Sequence, residues 1–256
     1  MAQDRVTLFG LAFDRTGLPR AVAAIAGAVT DRRRGYVVTP NIDHIVRCHR
    51  DQAFAAAYAD AAWRLPDGMP LVWASRVLGE PLPERVAGAD LLPALCDAAA
   101  RLGFTVFVLG GREGVAQRAG ANLAARFPGL RIAGVYTPPD RFEVQGATAE
   151  DAIAAVNRAR PDILFVGLGA PTQELWVHRH WDRLATTVAV CCGAAIDFAA
   201  GVQPRAPAWM QRVGLEWLWR LAREPRRLWR RYLVEDTAFV GIVLKEWWRR
   251  RGKGSR

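Results

Sequence analysis

Four short stretches of this 256-residue chain carry side chains able to move protons or hold phosphate. In Leu65-Pro-Asp-Gly-Met69 a single carboxylate, Asp67, stands in a tight turn between a short strand and a helix. Pro-Asp-Gly forms turns in its own right, and a carboxylate open to solvent at a strand end is also where a general base works. Thr39-Pro-Asn-Ile-Asp43 sets Thr39 and Asn41 where the chain leaves another strand, as helix caps or as substrate contacts. The run from Val106 to Gly114 reads strand, glycine turn, helix start, with Gly110 and Gly111 in the turn. Free backbone N–H groups and the helix dipole hold phosphate at such a junction, although packing alone also accounts for the glycines. The run matches neither the dinucleotide fingerprint nor the P-loop. Ile163 to Glu174 repeats the design with Gly167 and Gly169, where the Gln173 amide suits a uracil or sugar edge and Glu174 suits a first-turn carboxylate.

No two aspartates are separated by one residue, so the D-x-D arrangement that holds a metal and a diphosphate is missing. A departing nucleotide diphosphate would then need arginines, whose guanidinium matches phosphate oxygens in a bidentate way. Arg220, Arg223, Arg226, Arg227, Arg230 and Arg231 are the candidates. The four histidines show no metal or triad spacing, and Cys48, Cys96, Cys191 and Cys192 show no C-x-x-C. They read as structural side chains, with the thiols reduced.

The elements that must position these groups follow from the hydrophobic pattern. Up to about residue 200, short β-branched runs alternate with Ala-rich stretches of helical period, as in an α/β protein with a mainly parallel sheet. Strands are expected at Val6-Phe13, Tyr36-Thr39, Phe104-Leu109, Ile132-Tyr136, Ile163-Gly167 and Val188-Cys192. Helices are expected near 19–34, 42–60, 70–78, 90–102, 113–126, 148–159 and 172–184. In open parallel sheets ligands bind beyond the carboxyl ends of the strands, so the candidate residues should line one crevice.

The alternation stops at the loop 201–207, which divides an α/β core, 1–203, from a helical segment, 204–256. One helix should start at Pro207 and end at Pro225, and another should run from Arg226 to Arg250. Residues 201–256 hold 14 Lys/Arg against 5 Asp/Glu, so nearly all of the +10 net charge sits there, with six of the ten tryptophans. A basic helix rich in Trp and Leu, too charged to span, is the mark of an interfacial helix on anionic lipid. Single-strand nucleic-acid binding also fits the charge, but the aromatic residues are nearly all Trp in company with Leu and Val, as in membrane belts. The first residues lack a long apolar run or a cleavage site, and no uncharged apolar run approaches the ~20 residues of a spanning helix. A cytoplasmic protein, peripheral on the inner face of the cell membrane, is expected.

Several blocks together resemble the WecG/TagA/CpsF glycosyltransferases. They are Thr39-Pro-Asn41, Pro66-Asp-Gly68, Arg85 to Asp90, Leu109-Gly-Gly111, Gly167 to Glu174, Cys192-Gly-Ala194 with Asp197-Phe198, Arg205 to Trp209, Gly214 to Trp217, and Glu224 to Leu228 with Arg231-Tyr232. They occur in the family's order over about residues 5 to 235, and the match weakens from Thr237 onward. The resemblance implies an inverting, metal-independent transfer from a UDP-sugar to an undecaprenyl-diphosphate-linked sugar in cell-surface polysaccharide synthesis. It also implies a Rossmann-like core with a C-terminal helical membrane-docking appendage. By position, Asp67 resembles the general base, Thr39 and Asn41 the lining of the catalytic pocket, and Arg85 and Gln173 substrate-binding positions. The family's appendage arginines correspond best to Arg220, Arg227 and Arg231, with Arg223 and Arg230 as alternatives in a dense cluster. No cofactor beyond the UDP-sugar co-substrate is implied. Self-association through the core leaves no mark in the pattern.

Two other classes stay in view. A nicotinamide-dependent oxidoreductase predicts a G-x-G-x-x-G after the first strand, which Phe9-Gly-Leu-Ala-Phe13 lacks. A basic nucleic-acid-binding protein predicts steeply salt-dependent association with DNA or RNA.

Overall fold

The computed structural model describes residues 4–139, 141–212, 214–230 and 236–253. The first apolar run is not one strand. It folds into an antiparallel hairpin, β1 (Arg5–Leu8) and β2 (Leu11–Asp14), turning at Phe9 and Gly10, both at positive φ (56° and 83°). That left-handed pair suits the twist of a two-residue hairpin, and Gly10 adopts it without strain.

Six further strands make one parallel sheet in the order β4-β3-β8-β7-β5-β6. They are β3 (Gly35–Val38), β4 (Trp63–Arg64), β5 (Thr105–Gly110), β6 (Arg131–Tyr136), β7 (Ile163–Gly167) and β8 (Val188–Cys191). The middle strands are buried on both faces, which is why they read as continuous apolar runs rather than alternating ones. The charged member of β4 is held internally. Arg64 donates to the carbonyls of Ala12, Tyr58, Ala59 and Ala61, and its backbone N–H donates to Asp14 at 2.7 Å, so the guanidinium fastens the hairpin to the sheet.

One face of the sheet is covered by α1 (Leu18–Thr30), α5 (Gly88–Leu102), α6 (Val115–Arg126) and α9 (Ala195–Ala199). The other carries α2 (Ile42–Cys48), α3 (Gln52–Ala59), α4 (Met69–Val77), α7 (Ala147–Ala159) and α8 (Thr172–His180). The single helix expected over 42–60 is therefore two, because Asp51 accepts from the Phe54 N–H and caps a new start. Cys96, Cys191 and Cys192 are buried, and the four cysteines are free thiols.

Both helices expected after residue 207 are also divided. α10 (Ala208–Arg212) and α11 (Glu216–Arg223) are separated at Gly214, whose φ is 74°. α12 (Pro225–Arg230) and α13 (Ala238–Lys253) replace the continuous run from 226 to 250. α13 returns to the start of the chain. Phe239 is buried and stacks edge-on against Phe9 with ring centroids 5.0 Å apart, and buried Glu246 accepts from the Phe9 N–H at 2.6 Å.

Candidate active site

Asp67 lies just past β4. Leu65 N–H donates to Val38 O (3.0 Å) and Asp67 N–H to Pro40 O (2.8 Å), so the chain runs beside the end of β3 before Gly68, at φ 127°, turns it into α4. The carboxylate thus stands at the carboxyl edge of the sheet. Asp67 keeps a partial window to solvent, yet the protein packed around its carboxyl group strips enough water to push its pKa up to about 7. The neighbouring charge of Glu216 raises it further, Arg85 and Arg220 pull it down, and Asp90 adds a smaller upward push.

Those neighbours form one cluster from three parts of the chain. Arg85 Nη2 is 3.3 Å from Asp90 Oδ2 and donates to Gln211 Oε1 at 3.4 Å, while its Nη1 lies 3.8 Å from Glu216 Oε2. Arg205 donates to Asp90 at 2.6 Å and approaches Glu216 at 3.9 Å. The loop between α10 and α11 seats directly on the start of α4: a Cβ on Gly214 would come within 2.7 Å of Met69 Cβ and 2.9 Å of Trp73 Cη2. Of the expected arginines, Arg85 and Arg220 act on Asp67 through their charge. The side chain of Arg227 and all of Arg231 lie outside the described residues. The sequence assigned no role to Asp90, Arg205, Gln211 or Glu216. The signal was there for three of them, since each stands in a block that resembles the family.

Thr39 and Asn41 are one strand away. Thr39 is buried, its hydroxyl 3.5 Å from Cys191 O, and Asn41 Oδ1 accepts from the His44 N–H at 3.2 Å as the cap of α2. From His44 a buried chain runs across the sheet end. His44 Nδ1 and the Tyr58 hydroxyl are 2.7 Å apart, Tyr58 donates to Glu174 at 3.4 Å, and Gln173 Nε2 donates to Glu174 at 2.8 Å. Gln173 Oε1 accepts from the Gly193 N–H at 3.1 Å. Gln173 is thus 3 % exposed, and both ends of its amide already have protein partners. Glu174 is buried too, and burial lifts its pKa to about 7 against the pull of these hydrogen bonds.

The glycines sit farther along. A Cβ on Gly110 would meet Gly167 O at 2.3 Å, and one on Gly167 would meet Ile196 and Gly193, so the ends of β5, β7 and β8 pack backbone to backbone. Gly111 N–H donates to Gly167 O at 3.2 Å. Gly169 has φ 77° with open space around it. From β5 the chain leaves toward β6, and from β7 it leaves the other way toward β8. The expected glycines therefore flank the switch point where such sheets bind ligands. Three strand spacings of ~4.8 Å separate the glycines of β7 from β4 and Asp67 beyond it, and four separate those of β5, roughly 14 and 19 Å, distances that an extended nucleotide-sugar can bridge. Among the described residues no three His, Cys, Asp or Glu side chains gather as a metal-ligand set.

A parallel sheet with helices on both faces and a switch-point crevice at its carboxyl edge define the class, a Rossmann-like α/β protein, here with a desolvated carboxyl group just past β4 that feels two arginines. The chain belongs to the Glycosyl transferase WecG/TagA/CpsF family, whose model matches residues 6–253. It is 33% identical to an N-acetylglucosaminyldiphosphoundecaprenol N-acetyl-beta-D-mannosaminyltransferase of Bacillus spizizenii over 92% of this chain and 89% of that one. Proteins of the same name from Bacillus subtilis (28% identical, 94% and 91% covered) and Staphylococcus aureus (27% identical, 88% and 87% covered) are also similar. None of this supports the oxidoreductase or nucleic-acid readings. No described helix is long and apolar enough to cross a membrane.

Proposed function

We propose that this chain moves a sugar from a UDP-sugar onto an N-acetylglucosamine carried by undecaprenyl diphosphate, with inversion and without a metal. By analogy with the relatives' names, N-acetylmannosamine is the donor sugar to test first. Asp67 takes the proton of the acceptor hydroxyl, the oxygen attacks the anomeric carbon, and the bond to the β-phosphate oxygen breaks with its electrons leaving on UDP. One displacement at that carbon inverts it. Arg85 and Arg220 offset the charge that develops on the diphosphate, and orientation in the crevice lowers the barrier further. Residues 204–256 would hold the enzyme on the inner face of the membrane, where its acceptor resides.

The observation that carries this reading is a carboxylate at the sheet edge whose pKa is pushed up to about 7 and which feels the charge of an arginine of the core and one of the C-terminal segment. A base titrating near the working pH is the most effective proton acceptor. The test is transfer from a panel of UDP-sugars to a short-chain lipid-diphosphate acceptor, with and without chelator. Product with inverted anomeric configuration, unaffected by chelator, is expected. Absence of transfer from every donor, or loss of activity on chelation, overturns the reading.

A further inference from the structure

Two helices from opposite ends of the fold expose apolar side chains while burying their other faces. On α4, Trp73 (44 % exposed) and Val77 (65 %) stand one turn apart with exposed Arg76 beside them, while Leu71, Val72, Ala74 and Ser75 are buried. On α13, Val240, Leu244 and Trp248 repeat every four residues and are each more than half exposed, while Phe239 and Glu246 face inward. Spacing of four residues keeps each set on one stripe of its helix.

Both helices lie on the same face of the sheet. Phe239 shares a core cluster with Leu71, Ala74 and Leu78, and Arg250 of α13 reaches Glu80, just beyond α4, at 3.8 Å. At its other end α4 carries the Gly214 loop. Exposed cations flank both stripes, Arg76 on α4 and Lys245, Arg249 and Arg251 on α13, whose one acidic residue, Glu246, is buried, while Glu80 just beyond α4 is paired with Arg15 and Arg250. A second copy of the chain would be a poor cover, because a two-fold contact sets each patch against itself and brings these cations together. An anionic bilayer accepts both the apolar stripes and the cations.

Resting on the membrane reading above, we propose that α4 of the catalytic core enters the anionic lipid interface together with α13, Trp73 and Val77 being its inserted residues. The membrane contact would then not be confined to the chain after residue 203. The consequence is positional. Trp73 lies four residues into a helix that starts two residues after Asp67, and four residues span ~6 Å along the axis. The general base thus sits beside the headgroup layer, where the first sugar of a lipid diphosphate emerges. The acceptor can react without being drawn out of the bilayer.

The test uses the full chain and vesicles of phosphatidylglycerol mixed with phosphatidylcholine. An environment-sensitive fluorophore is placed on Val77→Cys and, as a control, on Leu102→Cys, an exposed position at the opposite edge of the sheet. A blue shift at position 77 but not at 102 is expected on adding vesicles. Val77→Asp should weaken co-sedimentation about ten-fold while leaving turnover of a water-soluble acceptor unchanged. If the chain sediments but the probe at 77 stays in water and Val77→Asp binds normally, the role of α4 is overturned and the C-terminal anchor survives. If the wild-type chain does not sediment at all, the membrane reading falls and this inference with it. If Val77→Asp instead turns an oligomer into a monomer, the face is a contact between copies and the proposal is wrong.

Discussion

Asp67→Asn should abolish transfer and at the same time make the fold more stable above neutral pH. The carboxyl group ordinarily titrates near 3.8 and in the native protein near 7. Between those values the unfolded chain gives up a proton that the native state retains, so the group's contribution is full below about pH 4 and is lost as pH rises through 7. A difference of about three units corresponds to ~4 kcal/mol at ~1.4 kcal/mol per unit, and partial solvent access reduces it to about 2 kcal/mol. Asparagine keeps the shape and cannot ionise, so the variant escapes this loss. Urea unfolding of both proteins at about pH 5 and about pH 8 should show the variant gaining about 1 kcal/mol on the wild type between the two conditions, the rest of the loss falling below pH 5. A stability difference that does not change with pH would mean that the carboxyl group is not desolvated. Near-normal turnover by the variant would remove Asp67 as the base.

Glu216→Gln removes a charge that raises the proton affinity of Asp67, so the acid limb of the kcat/KM profile should move to lower pH; Arg85→Met removes an opposing charge and should move it higher. Equal shifts in one direction for both variants would refute the electrostatic assignment. Gly110→Ala drives a Cβ to 2.3 Å from Gly167 O at a positive φ and should cost ~3 kcal/mol or more in urea unfolding, with a soluble yield near wild type excluding the close approach. Gly214→Ala should unseat the α10–α11 loop from Met69 and lower kcat/KM about ten-fold with little change in unfolding midpoint. Glu246→Ala leaves the buried Phe9 N–H without its acceptor and removes the nearest carboxylate from Arg250, and it should cost ~2 kcal/mol, read by proteolysis of α13 at native pH.

Much of the scaffold is legible in the sequence, for a reason that also marks its limits. β7 coincides with the run Ile163 to Gly167, because a strand buried on both faces must be apolar throughout and glycine ends it. The same rule misleads at the first strand, where an equally apolar run hides a turn that only the left-handed Phe9-Gly10 pair reveals. Asp67 is legible because its turn is written locally in Pro-Asp-Gly. Its partners are not. Arg205 meets Asp90 across 115 positions, and nothing local in either residue announces the other. Gln173, a polar residue opening a helix at a strand end, reads as a ligand contact. Here the helix presents it inward, where its amide ties Gly193 to Glu174. The Trp-rich tail has a readable composition but not a readable path, because the return of α13 depends on one buried carboxylate meeting one N–H at the other end of the chain.

The placement of the C-terminal segment couples two requirements of catalysis. Gly214 covers the start of α4 beside Asp67, while Glu216 and Arg220 of the same segment contribute opposite charges to the carboxyl group. Desolvation is the largest of the causes that raise its pKa, followed by Glu216, whereas Arg220 opposes them. Withdrawing the segment would readmit water and remove Glu216, and these losses outweigh the loss of Arg220. The carboxylate would then return toward its ordinary range and become a weaker base just as Arg220, the cation proposed to meet the leaving group, is withdrawn. If Asp67 and Arg220 act as proposed, the site has its strongest base and its charge stabilisation together only with the C-terminal segment in place, so the protein with that segment withdrawn should be a poor catalyst and should hydrolyse little of a bound sugar donor.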